Sequence, residues 1–232
     1  MIMISKYDII ILRKIGSVNM PLSQFHIMTD DEIAGLHLLL ADNYFDYELY
    51  KFAFEDDKKR KQALEHLFHH FIKAIKPYCY FLSDKKENAS VIVVWDSTLE
   101  NPIKYHAQLL WMNLKMLSML FRLRSIKTMK HVISCWDIFT SRWRYEFVKH
   151  DYLHLELFFT KKDKRGQGIG ADMLKSLTEY AESVGKDLTV EVHREEYIPF
   201  YRKAGFQLMS EISHTDYDLR QYNFIKKCKG KE

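Results

Sequence analysis

Three of the eight glycines in this chain fall in one hexapeptide, Arg165-Gly166-Gln167-Gly168-Ile169-Gly170, and its flanks restrict the folds open to it. Upstream, residues 152–160 read as a strand. Downstream, Ile169, Met173, Leu174, Leu177, Tyr180, Ala181 and Val184 recur at spacings of three and four, which predicts an amphipathic helix starting at once. Gly185 stands where a left-handed cap would close that helix. Glycine at a helix start lets backbone N–H groups approach an anion with no side chain in the way, and the helix dipole favours negative charge there. Strand, glycine loop and helix in that order predict a phosphate cradle within an α/β (α+β) fold.

Two phosphate-binding patterns compete for these residues. Gly166, Gly168 and Ala171 fit G-x-G-x-x-G/A, and Glu191, 20 residues beyond Ala171, stands where a ribose-binding acid would. That dinucleotide fingerprint follows its strand directly, whereas residues 161–165 intervene here. The 62 residues after Gly170 are also too few to complete a doubly wound domain. The other pattern is R/Q-x-x-G-x-G/A, which Arg165, Gly168 and Gly170 match without a gap. After the helix, Leu188–His193 alternates as a strand, and Tyr197–Phe206 is similar to a short helix of pattern N-x-x-F-Y-x-x-x-G-F, with Tyr197 in place of the Asn.

On these residues the chain resembles the GNAT superfamily of N-acetyltransferases over about 150–226, with a layout similar to puromycin acetyltransferase-like members. The resemblance implies a mixed, mostly antiparallel central sheet flanked by helices, with extra helices before the fourth strand. It implies acetyl-CoA as co-substrate, bound by the cradle residues Arg165, Gly166, Gln167, Gly168, Ile169 and Gly170. It also implies that the fourth and fifth strands splay apart, so that backbone groups of Leu157, Phe158, Phe159 and Thr160 serve the pantetheine arm and polarise the thioester carbonyl. Tyr201 takes the position whose hydroxyl faces the CoA sulfur, which makes it the expected general acid. The Asn-to-Tyr change at Tyr197 leaves whatever that Asn does for the cofactor to another group.

Glu156 is the expected general base. It lies nine residues before Arg165, where many GNAT relatives carry a Glu. An alkylamine has a pKa near ~10, so attack on a thioester needs a group to remove its proton. Simple alternation places Glu156 on one strand face with His154 and Phe158, opposite Leu155, Leu157 and Phe159. His154 could act directly or through water, and Glu191 and His193 on the next strand are weaker candidates. The expected reaction is acetyl transfer to a primary amine of a small molecule. The alternatives are a protein or peptide N-acetyltransferase, or a non-catalytic CoA-binding module.

Composition removes several other classes. Hydrophobic residues make up 47% of 232 residues, with four prolines, which excludes a disordered chain. Cys79, Cys135 and Cys228 form no C-x-x-C pair, so neither a disulfide framework nor a metal site is expected, and a cytoplasmic location fits. The longest greasy stretch, Leu109–Leu123, is 15 residues with Asn113, Lys115 and Ser118 inside, short of the ~20 a membrane span requires. A net charge of +4, with clusters at 57–61 and 226–231 but no recognition motif, gives no reason to expect nucleic acid. The basic loop Lys161–Arg165 differs, because it abuts the cradle and CoA carries a pyrophosphate and a 3′-phosphate.

The expected organisation is an N-terminal extension at 1–22 and a single domain at 23–232, with a homodimer left open. A first strand is predicted at Ser23–Met28, helices at about 30–42, from about 43 and at 58–76, and a hairpin of Tyr78–Ser83 with Ala89–Asp96. A helical elaboration at about 103–148 follows, comprising Ile103–Arg124 and Trp136–Phe147, and a terminal hairpin of Phe206–Ile212 with Asp216–Phe224 closes the chain.

Overall fold

The computed structural model describes residues 24–85, 88–101, 103, 107, 110, 111, 114, 115, 126–134, 141–214 and 218–228. The expected extension at 1–22, most of the predicted helix Ile103–Arg124, residues 135–140 with Cys135, and the end of the basic tail lie outside these.

Among the described residues, seven strands form one sheet in the order β1-β2-β3-β4-β5-β7-β6. They are β1 (His26–Ile27), β2 (Cys79–Ser83), β3 (Ser90–Asp96), β4 (Tyr152–Thr160), β5 (Asp187–Val192), β6 (Gln207–Ser213) and β7 (Arg220–Lys226). Only β4 and β5 run parallel; the remaining pairs are antiparallel. The predicted strands and hairpins are therefore present, with β1 shorter than Ser23–Met28.

Helices cover both faces. On one face lie α1 (Asp30–Tyr44) and α3 (Asp57–Ile75), with the short α2 (Glu48–Ala53) between them in sequence. Thr29 opens α1 with a capping box: its hydroxyl accepts from Glu32 N–H while the Glu32 carboxylate accepts from Thr29 N–H. Ile33, Leu36, Leu40 and Ala41 then follow the helical period into the core, and Leu64, Phe68, Ile72 and Ile75 of α3 join them against Phe81, Val91, Val93 and Trp95. Burial of each such aliphatic side chain contributes about 1.5–3 kcal/mol. Pro77 does stop α3, by entering a 3₁₀ turn at Lys76–Tyr78.

The other face is covered by α6 (Ile169–Ser183), whose Met173, Leu174, Leu177 and Ala181 pack on Ile92, Val94, Leu153, Leu155 and Val190. Gly185, at φ +65°, ends it in the left-handed cap. The short α7 (Ile198–Lys203) adds Phe200 and Tyr201 to this core. Between β3 and β4, the described residues include α4 (Ile126–Ser134) and a single turn, α5 (Arg144–Phe147). Within the helix expected at Trp136–Phe147, residues 142 and 143 form a turn and only Arg144–Phe147 are helical among the described residues.

One irregularity in β4 governs the site. Val93 pairs with Leu157 but Val94 pairs with Leu155, so Glu156 is an extra residue opposite no partner, a β-bulge. The bulge exchanges the two faces. Leu155 packs in the α6 core, whereas Leu157 and Phe159 pack in the α1–α3 core. Simple alternation had put all three on one face; the inserted residue is the physical reason that they part.

Candidate active site

Pairing of β4 with β5 runs from Tyr152↔Asp187 to Leu155↔Val190 and stops there. Beyond that point the strands diverge, and a cleft of about 700 Å³ opens between them, bounded by the cradle loop, α7 and the end of α1. Lys161 N–H donates to Ala89 O, just before β3, at 2.8 Å. By antiparallel alternation, Phe159 and Leu157 direct their backbone groups toward β3, while those of Phe158 and Thr160 face the open side. The remaining bonds agree. Phe158 O accepts from the Tyr44 hydroxyl at 3.3 Å, and Thr160 O accepts from Arg165 Nε at 3.1 Å.

Of the expected cofactor-binding residues, Phe158, Phe159, Thr160, Arg165, Gly166, Gly168, Ile169 and Gly170 line this cleft. Leu157 does not; it is buried among the α1–α3 side chains because the bulge turns it there. Gln167 is also outside the lining. Gly166 and Gly168 have φ of +77° and +81°, a conformation that L side chains rarely adopt, and Gly168 is the residue from which α6 departs. Gly170 serves close packing instead: a Cβ there would lie 3.0 Å from Thr160 Oγ1 and 3.3 Å from Phe158 Cζ. Lys162, Lys164 and Arg165 line the same end, so open backbone, cations and a helix start meet where a pyrophosphate would fit. Lys162 also holds Asp46 at 2.9 Å.

The chemistry-bearing side chains gather at the other end. Glu156 and Tyr201, predicted as base and acid, both line the cleft. Burial pushes the Glu156 carboxyl up to about 7, against the lowering field of Arg144 and with a further rise from Glu191. Its side chain is 20% exposed. His154, 2% exposed, places Nε2 3.7 Å from Glu156 Oε2 and 3.8 Å from Glu191 Oε2, while its Nδ1 hydrogen-bonds Thr189 Oγ1 at 2.8 Å. Burial holds this imidazole well below its usual range, and Arg144 pushes the same way. The ring is outside the cleft lining, and its Nε2 stands beyond hydrogen-bond distance of both carboxylates. His193 instead packs edge-on to Tyr47, ring centroids 6.2 Å apart.

Tyr201 is buried, edge-on to Phe200 and Phe206, with its phenol raised above the ordinary tyrosine value, first by burial and then by the neighbouring Tyr44 and Tyr197. It therefore keeps its proton throughout the neutral range. Tyr197, the departure from the Asn pattern, lines the cleft and accepts a hydrogen bond from Arg194. Arg194 itself grips Glu48 of α2 at 2.6 and 3.0 Å and Asp46 O at 3.1 Å, and lies over the Tyr47 ring at 4.9 Å. This arginine ties the helical face to the loop after β5 across the cleft rim.

Local sequence pattern gave no signal for Tyr44, Tyr47, Asp46 or Arg194, whose roles arise between elements far apart in the chain. Trp143 is buried against Val148 and Ile225 and also donates its indole N–H to Glu191 Oε1 at 2.7 Å. Cys79 and Cys228 are buried and unbridged. Among the described residues, no group of three or more His, Cys, Asp or Glu could hold a metal ion, and no helix is long and apolar enough to cross a membrane.

Comparison with known proteins agrees with this architecture. Residues 145–217 match the family described as the acetyltransferase (GNAT) domain. An uncharacterized N-acetyltransferase, YjcF of Bacillus subtilis, is 28% identical over 85 residues, 37% of this chain and 59% of that protein. The match thus spans about three-fifths of that relative's length. Among solved structures, histone acetyltransferase HPA2 and related acetyltransferase from Corynebacterium glutamicum superimposes with a TM-score of 0.58 at 14% identity, covering 88% of this chain and 96% of that one. Arylalkylamine N-acetyltransferase 2 from Aedes aegypti gives 0.51 at 12% identity, covering 88% and 97%. A seven-stranded, mostly antiparallel sheet opening between a parallel central pair defines the GNAT fold. Residues 145–217 thus match the GNAT acetyltransferase domain, and the sheet around them has the GNAT fold.

Proposed function

We propose that this chain is an acetyl-CoA-dependent N-acetyltransferase that acts on a primary amine of a small molecule by direct attack on the thioester. The observation that carries the reading is the cleft itself, which presents Glu156 and Tyr201 to one space that runs on to the glycine cradle. Acetyl-CoA supplies an acetyl group activated as a thioester. Its phosphates suit the Gly166–Gly170 backbone and the cations of Lys162, Lys164 and Arg165, and its arm suits the edge at Phe158 and Thr160, which β5 pairing does not reach.

The chain's own residues then have separable tasks. Glu156, titrating near 7, accepts a proton from the acceptor ammonium at neutral pH, where an ordinary carboxylate would be too weak a base. The free N–H groups of the β4 edge are placed to stabilise charge developing on a carbonyl oxygen. Tyr201 holds a proton for the departing sulfur. Phe158, Phe200 and Tyr44 exclude water from the narrow part of the cleft.

The test is a thermal-shift titration with acetyl-CoA, followed by thiol-release assays on a panel of small amines and short peptides. At ~100 times its dissociation constant, acetyl-CoA should stabilise the fold by ~2.7 kcal/mol. A shift without turnover on any acceptor would leave a CoA-binding module, and preference for peptides would move the substrate class. A larger shift with NADH than with acetyl-CoA would revive the dinucleotide reading.

A further inference from the structure

Glu191 faces the cleft beside Glu156, and neither the cradle nor the proton transfers use it. Its position is fixed from behind. Trp143 is buried against Val148 and Ile225, so its ring has one orientation, and its indole N–H donates to Glu191 Oε1 at 2.7 Å. The second oxygen, Oε2, lies 3.8 Å from His154 Nε2, on which Glu156 Oε2 also converges at 3.7 Å. Two carboxylates thus share one imidazole, and that ring is too deeply buried to offset them as a cation. Arg144, whose field reaches Glu156, is seated over the Tyr152 ring at 5.4 Å and donates to Ser141 O. Glu191 itself is 15% exposed, and its opening is onto the cleft.

We propose that Glu191, held by Trp143, is the anchor for the acceptor's ammonium group, and that the Glu156–Glu191 pair restricts acceptors to amines with no carboxylate next to the reacting nitrogen. The inference rests on the acetyl-transfer reading of the cleft. Paired, largely desolvated carboxylates are relieved by a cation and made worse by a further anion, so one arrangement attracts an alkylamine and repels its α-amino acid counterpart. The two ends of the cleft then divide the labour: Lys162, Lys164 and Arg165 collect phosphates, while Glu156 and Glu191 collect the ammonium.

Calorimetric titration of the CoA-loaded full chain with matched pairs, butylamine against norvaline and phenethylamine against phenylalanine, tests this. In the parent protein, at least one amine should bind about tenfold or more tightly than its carboxylated partner. Glu191→Gln should weaken that amine about tenfold and shrink the ratio, with the acetyl-CoA thermal shift unchanged. In turnover, the same variant should raise KM for the amine more than it lowers kcat. Trp143→Phe should weaken the amine less, since it frees the carboxylate without removing it; should it fail to fold, Glu191→Gln carries the test alone. Equal binding within both pairs, or no binding of either amine, overturns the proposal. So does a Glu191→Gln variant that loses kcat and its acidic pH limb at constant KM, because Glu191 would then be the base. Failure of acetyl transfer itself looks different: no thermal shift with acetyl-CoA and no thiol release with any acceptor.

Discussion

The Glu156 carboxylate lies 3.7 Å from Nε2 of His154, a ring that is 2% exposed and held neutral by its burial. Of the two residues, Glu156 alone reaches the cleft, and the bulge that makes it an extra residue in β4 is what brings it there.

Glu156→Gln should reduce kcat/KM by ~10²–10⁴-fold near pH 7, with acetyl-CoA affinity near normal. Activity of the parent should rise with pH through about 7 and then level, following the Glu156 carboxyl. In the variant it should keep rising toward the amine's own pKa, so that the defect shrinks by pH 9. An unchanged kcat/KM across pH 6–9 would remove Glu156 from the mechanism.

The same substitution has a stability signature. Glu156 titrates near 7 in the folded chain, above its ordinary 4.5, so the unfolded chain gives up this proton more readily. Folded stability is therefore lost as pH rises from about 4.5 through about 7, and the loss persists above that. Glu156→Gln cannot ionise, so its melting temperature relative to the parent should be higher at pH 8 than at pH 5, by about 1–3 kcal/mol of stability given the partly open side chain. Melting curves at the two pH values settle it, and a difference that does not vary with pH would contradict the buried-carboxyl account.

Tyr201→Phe keeps the ring that packs on Phe200, Phe206 and Phe224 and removes only the hydroxyl. The expected result is a lower kcat with KM for acetyl-CoA little changed, and a smaller defect with a thioester whose thiol is more acidic. Because the phenol is raised above its ordinary value of 10.0, the parent should show no falling limb from this group below pH ~10. Full activity in a well-folded variant would leave Tyr201 a packing residue.

The two kinds of glycine in the cradle should respond differently. At Gly168, with φ +81°, a valine is strained whatever the surrounding space, so Gly168→Val should abolish the acetyl-CoA thermal shift while the sheet core persists. At Gly170 the backbone is ordinary, but a Cβ would meet Thr160 Oγ1 at 3.0 Å. Gly170→Ala should push α6 from β4 and weaken acetyl-CoA binding only partly. A folded Gly168→Val protein with the full thermal shift would show that the cradle is elsewhere.

The sequence by itself determined the local elements. The Arg165–Gly170 loop, the period of α6, its Gly185 cap and the Thr29–Glu32 capping box depend on neighbours within a few residues, so the pattern of the chain specifies them. The offset of Glu156 from Arg165 and the Phe-Tyr-x-x-x-Gly-Phe pattern around Tyr201 pointed to two residues that both line the cleft. Alternation failed at Leu155 and Leu157, since a bulge is set by how β4 registers on β3, whose partners Val94 and Val93 lie 61 and 64 residues away, and local sequence carries no mark of it. The bond from Trp143 to Glu191, the Arg194 grip on Glu48 and the closure of the cleft by Tyr44 join segments separated by 48, 146 and 114 residues. Such pairings exist only once the sheet has assembled, and hydrophobic burial over the whole fold, rather than any local propensity, decides which of them form.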